Sequence, residues 1–170
     1  MKLNLGCNTR IKEGYLNVDR DFYPGVNYQC DVSDLSSFKD ESIEEIYASH
    51  ILEHFSHTRT ADVLKEWRRV LQTGGILKLA VPDFRRAIDI YLKCGMKDWI
   101  VYFLYGDQGY EGANHYCAFD EGRLKCILES IGFCDISRVD SLPGSDSSEC
   151  SNNISNMDNK SVSLNIVAVK

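Results

Sequence analysis

The sequence predicts an α/β domain built on a mostly parallel sheet of seven strands. Three observations predict it. Short apolar runs alternate with segments whose apolar residues recur at helical spacing. The early runs end on a glycine or on acids, at Gly6, Asp19 and Asp31, as strands feeding a ligand site do. The last two runs, Cys134–Val139 and Val162–Val169, are joined by a stretch with no helical period, which predicts an antiparallel hairpin.

The bulk numbers fit that class. The chain has 170 residues, 44% apolar and 26% charged, enough to bury one core, so residues 1–170 are expected to form a single domain. The net charge of −6, with no Lys/Arg run, argues against nucleic acid or an acidic membrane as partner. No apolar run approaches the length of a spanning helix. The first strand begins at residue 3, so no leader or anchor is expected. Seven scattered cysteines with no CxxC pair suggest neither a disulfide framework nor a zinc ribbon, and point to a reducing, cytoplasmic setting.

Taken in order, Leu3–Leu5 is a short apolar strand that runs into a turn at Gly6, where a ligand can approach backbone without meeting a Cβ. Tyr15–Asp19 is a second strand ending on a carboxylate able to take both hydroxyls of a ribose. Val26–Asp31 reads as a third strand and Ile46–Ser49 as a fourth. From Thr60 to Leu71 the apolar positions are helical, with Thr60 as cap and Gly74 as stop. Ile76–Val81 is apolar throughout, as a strand covered on both faces is. Phe84 to Leu92 is again helical. Trp99–Tyr105 is aromatic and reads as core, as a dimer face or as a substrate wall. Asp120 caps a helix that Gly132 stops, with Phe133 packing back on it. Ser141–Lys160, rich in Ser, Asn and Asp, reads as a mobile loop.

Five blocks in this order resemble a known family. They are Leu3-Asn4-Leu5-Gly6-Cys7, Tyr15-Leu16-Asn17-Val18-Asp19, Ala48-Ser49-His50-Ile51-Leu52-Glu53-His54-Phe55, Trp67-Arg68-Arg69-Val70-Leu71-Gln72-Thr73-Gly74-Gly75 and Val81-Pro82-Asp83-Phe84. Together they are similar to class I S-adenosylmethionine-dependent methyltransferases of the small bacterial type 11. The resemblance implies a Rossmann-like sheet of seven strands, the last antiparallel, with helices on both faces. It implies S-adenosylmethionine as cofactor. Leu5, Gly6, Cys7 and Asn8 would pass under its methionine, Asp19 would hold its ribose with Arg20 beside it in the cofactor site, and Asp31 and Val32 would meet its adenine. Ser49 and His50 would sit near the methyl group. Asn8 stands where the family usually has a second glycine, and asparagine is among the residues that tolerate positive φ.

The expected reaction is methyl transfer to an oxygen or nitrogen of a small-molecule or glycan acceptor. A hydroxyl acceptor calls for a base, with His115 first and His50 second. The alternative is a methyltransferase-like binding module without turnover. A homodimer is a further expectation. His50-Ile51-Leu52-Glu53-His54 also matches H-x-x-E-H, a zinc peptidase pattern. A catalytic zinc needs a third protein ligand and no matching glutamate follows, so no metal is expected.

Overall fold

The computed structural model describes residues 1–109, 112–143 and 161–170. Its strands are β1 (Lys2–Leu5), β2 (Leu16–Asp19), β3 (Tyr28–Gln29), β4 (Ile43–Ser49), β5 (Leu71–Pro82), β6 (Cys134–Val139) and β7 (Ser163–Val169). They form one sheet in the order β3-β2-β1-β4-β5-β7-β6. β7 runs antiparallel to β5 and β6, and β1 to β5 pair in parallel, as the sequence predicts. The chain winds outward from β1 to β3 and then returns to place β4 on the other side of β1. The order therefore reverses between β1 and β4, where open α/β sheets hold their ligands.

Alternation along the strands sends Leu3, Leu5, Val18, Ile46, Leu77, Leu79 and Ile166 to one face. There they bury against Leu64 and Trp67 of α1 (Thr60–Val70) and Leu124 and Leu128 of α4 (Glu121–Ile131). Helices on both faces were expected. Among the described residues the opposite face has no helix in its apolar cluster, which joins Tyr47, Ala80 and Leu142. The reason is connection length: the segments between β1 and β2 and between β2 and β3 are too short for a helix and a return.

Buried asparagines on β1 and β2 replace those helices. Asn4 Nδ2 donates to Asn17 Oδ1 at 2.7 Å and to the Arg10 carbonyl at 2.9 Å. Lys12 N–H donates to the same Asn17 oxygen at 2.8 Å. Asn27 Oδ1 accepts from Asn17 N–H at 2.9 Å, and Asn27 N–H donates to the Asn17 carbonyl at 2.8 Å. The loops thus satisfy their backbone polar groups without helical ladders.

Three local expectations are corrected. Arg59, not Thr60, is the N-cap of α1, and the Thr60 hydroxyl donates to the Ser56 carbonyl instead. α1 passes directly into β5 at Leu71, so Gly74, at φ +76, lies inside the strand rather than stopping the helix. Leu142 is buried against Tyr47 and Ala80, so the Ser-rich segment begins packed at its near end; residues 144–160 of it lie outside the described residues. The caps of α4 are as expected: Asp120 accepts from Arg123 N–H, and Gly132 takes the left-handed conformation.

The Trp99–Tyr105 stretch is a helix, α3 (Asp98–Tyr105), paired with α2 (Phe84–Cys94). Ala87, Ile90 and Phe103 bury with Val162, at the end of the sheet where β5 stops and β7 starts. These two helices therefore stand over the carboxyl ends of the parallel strands.

Candidate active site

A cavity of about 780 Å³ opens beyond the carboxyl ends of β1, β2, β4 and β5. Gly6 leaves β1 at φ +64, where a Cβ would come within 2.7 Å of the Ile51 side chain. Asn8 follows at φ +46. Its N–H donates to Asp19 Oδ2 at 2.7 Å, and Asp21 N–H donates to Asp19 Oδ1 at 3.0 Å. The turn after β1 is thereby pinned to the acid at the end of β2. A carboxylate has about four lone-pair sites, so Asp19 keeps acceptor capacity.

Cys7 is buried beside this turn. Burial first, and the nearby Asp19 second, push its thiol up to about 11. It is a thiol at neutral pH and no nucleophile. Asp31 closes its own turn by accepting from Ser33 N–H at 2.8 Å. The next carbonyl, that of Val32, accepts from the buried Trp67 Nε1–H at 2.8 Å. Asp83, a further strand-end acid, is taken by structure: it caps α2 and pairs with Arg138 at 2.9 Å.

The far wall is built from histidines. His50 leaves β4 at φ +55. Its Nδ1 meets Glu53 Oε1 at 3.1 Å and its Nε2 meets Ser163 Oγ at 2.9 Å. Glu53 is fully buried, and its Oε2 has no partner among the described residues. Burial opposes its charge, yet the hydrogen bond from His50, helped by the His54 and His115 rings, holds its carboxyl below the usual carboxylate range. His54 Nδ1 faces the Asn114 carbonyl and His115 Nδ1 the Phe103 carbonyl, each at 3.0 Å. The two rings stack edge to face with centroids 4.9 Å apart. Burial pushes the His115 imidazole down and favours its neutral form.

Residues 7–79 match the family model described as a methyltransferase domain. The match takes in 73 of the 170 residues, among them Cys7, Asn8, Asp19, Asp31, Ser49 and His50. The fold is similar over 99% of the chain to that of an S-adenosylmethionine-dependent methyltransferase from Archaeoglobus fulgidus, at 18% identity, 85% coverage of that chain and TM-score 0.63. A second such enzyme, from Methanosarcina mazei, matches 99% of this chain and 91% of its own at 20% identity and TM-score 0.60. A third, the 1,6-didemethyltoxoflavin-N1-methyltransferase of Burkholderia thailandensis with bound S-adenosylhomocysteine, matches 99% of this chain and 68% of its own at 14% identity and TM-score 0.55. No curated protein matches the chain. Among the described residues no helix is long and apolar enough to cross a membrane.

Of the residues predicted to hold the cofactor, Gly6, Cys7, Asn8, Asp19, Arg20, Asp31, Val32, Ser49 and His50 line the cavity, as does the predicted base His115. Leu5 is the correction: strand alternation turns it into the core, fully buried against the helix face. The zinc-type pairing of His50 with His54, set aside on the sequence, is not formed: both His50 ring nitrogens are engaged, with Glu53 and Ser163. Sequence reasoning missed Tyr23 and Phe55 in the lining, and His54 beyond its place in the motif. Tyr102 and Phe103 line it too, so the aromatic stretch serves as a wall. The readable signal there was spacing: Ile100 and Phe103 bury while Tyr102 and Tyr105 stay exposed.

Proposed function

We propose that this chain transfers the methyl group of S-adenosylmethionine to an oxygen or nitrogen of a small-molecule or glycan acceptor, with residues 1–170 acting as one domain. The observation that carries the reading is the Asn8–Asp19 clasp at the mouth of a cavity of about 780 Å³. That volume lies in the range of small-molecule sites. The residues fit the cofactor: Asp19 retains acceptor sites for two hydroxyls, Val32 offers an apolar edge, and the Ser49 Oγ is buried without a partner among the described residues. S-adenosylmethionine supplies a methyl group already activated by its sulfonium, so the protein's task is alignment and exclusion of water.

Gly6, Cys7 and Asn8 pass beside the methionine portion, Asp19 and Arg20 hold the ribose, and Asp31 and Val32 bound the adenine. Ser49 and His50 stand at the methyl end. His50 is a positioning residue, since both of its nitrogens are committed to Glu53 and Ser163. His115 is the group assigned to the acceptor. Its Nδ1–H donates to the Phe103 carbonyl, which leaves the other nitrogen of a neutral ring with a lone pair. Tyr102 and Phe103 supply the apolar side of the acceptor pocket.

Incubation with methyl-labelled S-adenosylmethionine and a panel of phenols, amines and free glycans tests the reading. Label transferred to one acceptor class, lost in His115→Ala, is the expected result. A protein that titrates S-adenosylhomocysteine but labels no oxygen or nitrogen acceptor would overturn the acceptor assignment.

A further inference from the structure

Glu53, His54 and His115 come together in a way the methyl-transfer reading does not require. One ligand-capable atom from each lies within 4.8 Å of the others. The two histidines are already oriented as ligands are. A backbone carbonyl can only accept, so the Nδ1 facing it must carry the proton on both rings. Nε2 is then the lone-pair nitrogen of each. Carbonyl-anchored imidazoles of this kind are the usual outer support of a metal-bound histidine.

Glu53 supplies an independent observation. It is fully buried, yet only Oε1 is engaged, with His50. Oε2 is buried and unpartnered among the described residues. A buried, half-satisfied carboxylate is costly unless something cationic completes it. His50, anchored in turn by Ser163, fixes the orientation of that carboxylate.

We propose that Glu53, His54 and His115 bind one divalent transition-metal ion of the zinc or cobalt type at the acceptor end of the cavity. Two imidazoles and one carboxylate are a ligand set of catalytic zinc sites, which leave a fourth position open. Ligands at about 2.0–2.2 Å from an ion sit roughly 3.3–3.6 Å apart in a tetrahedron, so side-chain rotations close the present spacing. The third ligand that the H-x-x-E-H pattern lacks in sequence is His115, from the loop after α3. The pattern's first histidine is not a ligand but the support of its glutamate. His54 and His115 line the cavity, so the open position faces substrate space. Resting on the methyl-transfer reading, the ion takes the His115 Nε2 lone pair that would otherwise meet the acceptor directly, and its use there is to lower the pKa of an acceptor hydroxyl.

The test uses the untagged full chain, freed of metal by chelator dialysis and titrated with Co²⁺. One Co²⁺ per chain is expected, with the visible absorption of a four- or five-coordinate site, bleached by competing Zn²⁺. His115→Gln and Glu53→Gln should each weaken binding at least tenfold. His57→Ala should match wild type, because His57 is exposed and outside the cluster. Should Glu53→Gln fail to fold, His115→Gln decides, since its side chain comes from a loop. A wild-type protein that binds S-adenosylhomocysteine but takes up neither Co²⁺ nor Zn²⁺ overturns the site. So does uptake that His115→Gln leaves unchanged, or that His57→Ala abolishes. Uptake of Co²⁺ without any binding of S-adenosylhomocysteine would uphold the metal site and count against the methyl-transfer reading instead.

Discussion

The backbone N–H of Asn8 donates to Asp19 Oδ2 at 2.7 Å, across eleven residues of sequence. The glycine turn and the acid proposed to hold the ribose are thus one mechanical unit. Each depends on the other for its position.

Asp19→Ala should therefore lower affinity for S-adenosylhomocysteine by roughly tenfold to a hundredfold, because hydrogen bonds to a charged acceptor contribute about 1.5–3 kcal/mol. Stability should fall by no more than about 1 kcal/mol, since the freed N–H groups of Asn8 and Asp21 are exposed and water can replace the carboxylate. Asp62→Ala is the control, being exposed on α1 and ion-paired with Lys65, away from the cavity. Calorimetric titration of the three proteins decides it. Equal affinities would remove the ribose role.

Gly6 and Gly14 separate conformation from contact. Both have positive φ, +64 and +80, but a Cβ at Gly6 strikes Ile51 at 2.7 Å whereas one at Gly14 meets nothing within 4 Å. Gly14→Ala should cost about 1–2 kcal/mol from the left-handed backbone alone. Gly6→Ala should cost more and should also weaken cofactor binding, since Ile51 lines the cavity. Adding Ile51→Ala should return the binding lost to Gly6→Ala but not its backbone strain. Thermal melts and titrations of the single and double variants measure both parts.

The strand-end half of this site was legible in the sequence for a physical reason. Parallel strands aim their carboxyl ends at one place, so Gly6, Asp19, Asp31 and Ser49-His50 had to converge once the strands were found. The histidine half was not. Glu53 and His115 are brought together by α1, β5, α2 and α3, and no local spacing encodes that path. The third strand shrank from six expected residues to Tyr28–Gln29 because it is an edge, paired only with β2. The second face was not legible: helices were expected on it, among the described residues none joins its apolar cluster, and the buried pairing of Asn4 with Asn17 had no signal in hydropathy.

Acid should loosen the protein through Glu66. Two hydrogen bonds from Arg69 at 2.7 Å hold its carboxyl below the usual value, against the opposing effect of burial, and Leu35 N–H adds a third at 2.9 Å. A depressed folded pKa gives stability that is fully present above the unfolded value of about 4.3 and is lost as pH falls through the folded value. Glu66→Gln should be less stable than wild type by about 1–3 kcal/mol at pH 7. The difference should shrink below about pH 4 as wild type protonates. Melting temperatures at a series of pH values test this, and a gap that stays constant into strong acid would reject it.

Trp67 links the core to the end of the cavity proposed for adenine. It is fully buried in α1, and its Nε1–H reaches the Val32 carbonyl at 2.8 Å. Val32 lines the cavity beside Asp31, where adenine is assigned. Trp67→Phe keeps most of the apolar contact but removes that donor. The carbonyl is buried with it, so the loss should cost about 1–3 kcal/mol, and the smaller ring adds a packing defect. Arg69 still ties the same loop to α1 through the Leu35 and Phe38 carbonyls, so the loop should shift rather than unfold. S-adenosylhomocysteine affinity should fall several-fold, less than in Asp19→Ala, because the substitution displaces an apolar wall and removes no charged partner. An adenine-free fragment such as methionine should lose nothing. Titration of both ligands against wild type and Trp67→Phe reads the two effects separately: equal losses for both would mean that the tryptophan acts on the whole fold, and no loss for either would mean that the Val32 loop does not depend on it.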